Sequence, residues 1–110
     1  MKKKGQIEFE ESSGNVFADL GRKDADELFL RARLGAQILH ILQDRGLSKQ
    51  KDVQEVLDIG QAEVSKLLNA RFHRFSEGRL MSFLNKLDQK VTIKVSPRRR
   101  GEKPQEVVFA

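Results

Sequence analysis

Between Asp24 and about Arg45 the apolar positions Leu28, Ala32, Gly35, Leu39 and Leu42 recur at threes and fours, with Leu34, Ile38 and Ile41 beside them. That period belongs to one face of an α-helix and predicts a long amphipathic one. Asp24 followed by Glu27 has the spacing of a capping box, and Gly46 follows a basic last turn, so both ends are marked. Ser48 then offers an N-cap for a second, shorter helix that ends near Leu57, with Val53, Val56 and Leu57 inward. A third helix, Gln61 to Asn69, places Val64, Leu67 and Leu68 on one side and Ala62, Ser65, Lys66 and Asn69 on the other, with Gln61 pointing forward. After the basic link "ARFHRF", Ser76 is a further N-cap. It precedes Leu80, Phe83, Leu84 and Leu87, spaced i, i+3, i+4 and i+7.

The period then changes to two. In "KVTIKVS", Val91, Ile93 and Val95 alternate with Thr92 and Lys94, which predicts a β-strand ended by Pro97. A single strand cannot pair with itself. Its partner is either the same strand of a second copy or the chain's own final "VVFA". Ahead of the helices, "VFADLG" supplies Val16, Phe17 and Leu20 as an apolar plug on the first helix, and the charged residues before it form an arm. The expected organisation is a flexible arm over 1–15, one mainly α domain with a terminal strand over 16–96, and a basic tail over 97–110.

Charge sharpens this picture. The net charge is +5, but residues 5–30 carry seven acids against Arg22 and Lys23, whereas residues 31–96 hold twelve Lys or Arg against seven acids. A basic body behind an acidic front suits a polyanion-binding surface. With no Cys, disulfides and thiolate metal sites are excluded, and His40 and His73 are far apart, so no metal or other cofactor is expected. The basic start has no apolar run behind it, and no stretch reaches membrane-spanning length, so a cytoplasmic protein with no membrane partner is expected.

Two short helices joined by a tight turn, the second polar outward, match the physical description of a helix-turn-helix. Val53, Leu57, Ile59, Val64 and Leu68 are the expected core between them. Here the chain resembles the XRE-type, phage-repressor-like helix-turn-helix proteins, and within them the HigA-like antitoxins. The resemblance spans about residues 16–96: "VFADLG" and "DADEL" in front, "DRGLSKQKDVQEVLDIGQAEVSKLLNARFHRFS" in the centre, and "RLMSFLNKLDQKVTIKV" behind. It implies a small lambda-repressor-like helical bundle with a C-terminal β-strand pairing across a homodimer. It further implies sequence-specific binding to a double-stranded, palindromic operator, repression of the chain's own operon, and neutralisation of a small basic RelE-like toxin. The alternative is a stand-alone regulator with no toxin. Many relatives carry Ala where this chain has Gln54 and Gly where it has Asp58. Both departures bear on how firmly the turn aims the third helix.

The outward positions divide by chemistry. Gln61 can offer a bidentate amide to adenine, Ser65 can donate or accept, and Ala62 can touch a thymine methyl, so these three are the expected base contacts. Lys49, Lys66, Arg71 and Arg74, with Gln50 and Asn69, are expected at phosphates, where charge or an amide dipole suffices. Gln50 and Gln61 also match amide positions of the family motif. One helix reads few base pairs, so two-fold repetition is expected, with Val91, Thr92, Ile93, Lys94 and Val95 joining the copies. RNA is disfavoured because Trp and Tyr are absent and most of the seven Phe fall on apolar helical positions, leaving no stacking platform. No catalytic constellation is present: Ser48, Ser65 and Ser76 are explained by caps or surface, and no Gly-rich phosphate loop or metal-spaced cluster occurs.

Overall fold

The computed structural model describes residues 24–110, which carry four helices and one short 3-10 turn. They are α1 (Ala25–Asp44), α2 (Gln50–Leu57), α3 (Gln61–Leu68), the 3-10 turn (Phe72–Arg74) and α4 (Glu77–Lys86). The arm over 1–15, the plug Val16, Phe17 and Leu20, and most of the acidic front lie outside the described residues.

Ile38 and Leu42 of α1, Val53 and Leu57 of α2, Val64 and Leu67 of α3, and Leu80 and Phe83 of α4 meet in one core. Most of these side chains are fully buried, each contributing roughly 1.5–3 kcal/mol of transfer free energy before chain ordering is counted. Phe72 and Phe75 close the core from the 3-10 turn. The expectation for Leu68 is corrected: it is 38% exposed, and Leu67 takes the inward place with no exposure. Leu67 and Leu68 flank Val64 on the helix wheel, at about −60° and about +40°, so spacing permits either, and the packing of α3 turns the Leu67 side into the core.

Helix starts divide between the two expected kinds. Ser76 caps α4 through its Oγ, which accepts from the Arg79 N–H at 3.1 Å. Ser48 does not cap α2; Lys49 holds the N-cap position in extended geometry and no side chain caps the helix. Asp24 stands at the N-cap of α1 with no side-chain cap bond, and Glu27 is turned along the helix to Arg31 at 3.3 Å instead of back to the start.

Helix stops share one device. Gly46, Asp58, Ala70 and Asp88 all adopt left-handed geometry directly after or just beyond a helix end. After α1, α3 and α4 the following N–H groups return to the last turn, as in Leu47 to Leu42 O (2.9 Å), Arg71 to Lys66 O (2.9 Å) and Gln89 to Leu84 O (2.9 Å). These Schellman closures satisfy carbonyls that a helix end leaves open. Three of the four left-handed positions are not glycine, and an L side chain there costs about 1–2 kcal/mol. Asp58→Gly is therefore expected to raise stability by about 0.5–1 kcal/mol in urea unfolding, with Ala70→Gly gaining at least as much. An unchanged or lower midpoint for both would mean that the strain is absent.

No strand forms among the described residues, so the expected C-terminal strand Val91–Val95 is corrected for the single chain. Residues 91–95 are without helix or ladder, and the returning end of the chain does not pair with them. That end is tied to α1: Arg33 Nη2 donates to Val107 O at 3.1 Å and the guanidinium lies 5.0 Å from the Phe109 ring centre. An open cleft of about 740 Å³ is lined by both passes and by Leu30, Leu34, Met81 and Leu84. Without a neighbour's backbone in that space, alternation alone cannot make a strand.

Candidate nucleic-acid interface

The two helices of the motif are fixed first by their turn. Asp58 adopts φ 55°, ψ 53°, its N–H returns to Gln54 O, and the Ile59 N–H reaches the same carbonyl at 3.3 Å. Asp at this position therefore performs, in left-handed geometry, a turn that glycine enters most easily. Gln54 itself is half-buried. A second restraint comes from α4, where Lys86 Nζ donates to Leu57 O at 2.7 Å. An ammonium on the last carbonyl of α2 suits the negative end of a helix.

At the start of α3, Gln61 is exposed and faces Gln50 at the start of α2. Gln61 Nε2 donates to Gln50 Oε1 at 3.5 Å, and Gln50 Nε2 donates to Gln61 O at 3.4 Å. Both contacts are long, so the two amides are brought together and pre-aimed without being locked, and each keeps unused hydrogen-bonding capacity. Ala62 and Ser65 are exposed on the same helix. Asn69 is bound back onto it: its Nδ2 donates to Ser65 O at 2.8 Å and lies 3.4 Å from Ser65 Oγ. The structure thus couples Asn69 to Ser65, whereas the two are separate contacts in the sequence-based expectation.

Lys49, Arg71 and Arg74 are exposed and Lys66 is half-buried. Among the described residues no acid lies within ion-pair distance of any of these four. Other cations are committed to the fold. Arg31 Nε donates to Glu77 Oε2 at 2.9 Å and its Nη1 to His73 O at 3.1 Å, which ties α1 to the 3-10 turn and to the start of α4. Partial burial alone would raise the Glu77 carboxyl, but the Arg31 hydrogen bond and charge outweigh it and hold the group below its ordinary range. The same bond raises the Arg31 guanidinium.

Three contributors to the site have no local signal in the sequence. Arg79 Nη2 pairs with Glu63 Oε2 at 2.7 Å, which neutralises the only acid on α3 and straps α3 to α4. Lys86 reaches Leu57 O across 29 positions. Gly35 lies against Phe72, so the turn that carries Arg74 is seated in α1. Each depends on a long-range pairing, and the only hint in the chain is a cation in a last turn for Lys86 and a small residue on the apolar face for Gly35.

The helix-turn-helix domain family matches residues 16–96. A solved structure of a candidate XRE-family transcriptional regulator aligns with a TM-score of 0.68 and 32% sequence identity, covering 79% of this chain and 97% of that one. No curated protein matches the chain. With the family model matching residues 16–96 and a solved XRE-family regulator 32% identical over nearly its whole length, the chain belongs to the XRE-type helix-turn-helix family of DNA-binding transcriptional regulators.

Proposed function

We propose that the chain reads a duplex operator through α3 and represses transcription in the cytoplasm. The observation that carries this is the pairing of Gln50 with Gln61 at the mouth of the motif, beside Lys49, Lys66, Arg71 and Arg74, which have no acid partner among the described residues. Amides meet base edges and phosphates there, and the four cations meet the backbone, with Ala62 and Ser65 as the further base contacts and Asn69 holding Ser65 in place. The role is recognition without catalysis or cofactor: Ser76 Oγ is spent on a cap, and exposed His40 lies 3.3 Å from Asp44 on the same helix.

Operator affinity measured against salt tests the assignment for the parent, Gln61→Ala and Lys66→Ala. Gln61→Ala is expected to lose about 1–3 kcal/mol of discrimination between sequences. Lys66→Ala is expected to weaken all duplexes and lower the salt slope by about one. If neither change alters binding, α3 is not the reader.

The active form on this reading is a homodimer. Residues 91–95 carry unpaired backbone and exposed Ile93 (69%) and Val95 (90%), features an edge-to-edge pairing of two copies would satisfy. Lys94→Pro is expected to shift the chain to monomer in ultracentrifugation.

The antitoxin role rests on the HigA-like resemblance, and the choice of toxin-facing surface rests on charge segregation. The acidic residues from Glu8 to Glu27 suit a small basic toxin of RelE-like type, while the later basic residues suit DNA. A toxic basic protein encoded beside this chain and silenced by co-expression would establish it; a complex whose contacts avoid residues 8–30 would overturn the acidic front's part. A stand-alone regulator is what remains if no such neighbour exists.

A further inference from the structure

Arg98, Arg99 and Arg100 follow one another between Pro97 and Gly101, and all three are exposed. They do not sit on a loose end. The Glu102 N–H donates to Arg99 O at 3.1 Å and Glu102 Oε1 accepts from the Arg99 N–H at 2.6 Å, closing a turn that Gly101 completes at φ 87°. Positive φ there is easy only for glycine.

Both sides of this turn are held to the helical body. Val91 packs against the core before it, and Val107 packs against the core after it. Lys103 Nζ lies 5.3 Å from the Phe29 ring centre, and Arg33 binds Val107 O and the Phe109 ring. The legs restrict where the three guanidinium groups can go, which lowers the ordering cost of binding.

The next acid along the chain, Glu102, accepts the Arg99 backbone N–H through Oε1. Among the described residues no acid lies within ion-pair distance of any of the three guanidinium groups. Three adjacent, exposed and unpaired Arg side chains on a closed turn concentrate positive charge in one place, and guanidinium groups match phosphate geometry bidentately. A duplex backbone offers phosphates at regular spacing.

We propose that the Arg98–Arg100 turn is a second DNA-contacting element, which grips phosphates outside the bases read by α3. It rests on the DNA-binding reading above and adds affinity without adding sequence discrimination. Neutralising it therefore acts on the salt term only.

The test uses the full chain and a duplex selected by the parent from a random pool. Arg98→Gln/Arg99→Gln/Arg100→Gln is compared with the parent by salt-dependent affinity and by hydroxyl-radical footprinting. The expected result is a salt slope lower by about two to three, with base discrimination kept and backbone protection lost at positions separate from those lost in Gln61→Ala. The charge-preserving triple Lys variant is expected to keep the slope. An unchanged slope overturns the proposal, as does a lower slope with an unchanged footprint, which would report only the general field of the protein. If the parent selects no duplex at all, the DNA-binding reading itself has failed.

Discussion

Gly35→Val is expected to cost about 3 kcal/mol of stability in urea unfolding, although glycine inside a helix is ordinarily a weak point that a larger residue repairs. A Cβ at position 35 would stand 2.1 Å from Phe72 Cδ1 and 2.2 Å from its Cγ. No rotamer of the new side chain avoids this, because Cβ is fixed by the backbone. The ring must leave its seat, and the 3-10 turn Phe72–Arg74 must follow. Operator affinity is expected to fall with stability, since that turn carries Arg74 and follows Arg71 directly. A second variant separates the clash from a general helix defect. Phe72→Ala removes the ring, so its cost is expected to be clearly smaller in the Gly35→Val background than in the parent. Additive losses would mean that Phe72 does not occupy the space above Gly35.

Phe83→Ala is expected to cost about 3–5 kcal/mol, the range for emptying a buried aromatic site. Phe83 is fully buried, stands edge-on to Phe75 with ring centres 5.6 Å apart, and carries the Arg79 guanidinium 5.2 Å above its face. The cavity would open within the shared core, and typical domains hold only about 5–15 kcal/mol in total. Arg79 would also lose the ring that supports its bond to Glu63, so the strap between α3 and α4 would loosen. Phe83→Leu keeps most of the apolar volume and is expected to cost distinctly less. Equal losses for the two variants in thermal unfolding would show that the site collapses around either side chain.

The helical frame was legible because each helix has its own periodic apolar stripe. Leu80, Phe83, Leu84 and Leu87 fall three and four apart, and all four are buried as their spacing implies. Ser76 was legible as a cap for the same reason: its partner N–H is three residues away. Ser48 was not: the helix starts one residue later, with Lys49 at the N-cap and no side-chain cap. The polar face of α3 could be read from a wheel, but not the meeting of Gln50 with Gln61, which depends on the interhelical angle.

The alternation of Val91, Ile93 and Val95 shows the limit most plainly. It states a preference for extended backbone, which a strand realises only when another backbone supplies hydrogen bonds, and in the single chain none does. Local order along the chain thus determined the four helices, most of their stops and the outward chemistry of α3. The tertiary structure alone decided that Leu67 rather than Leu68 is buried, that Lys86 and Arg79 brace the motif, and that Phe72 rests on Gly35. Period and capping act over three or four residues and are written in order, whereas these contacts join residues about 16 to 37 positions apart and exist only once the helices have packed.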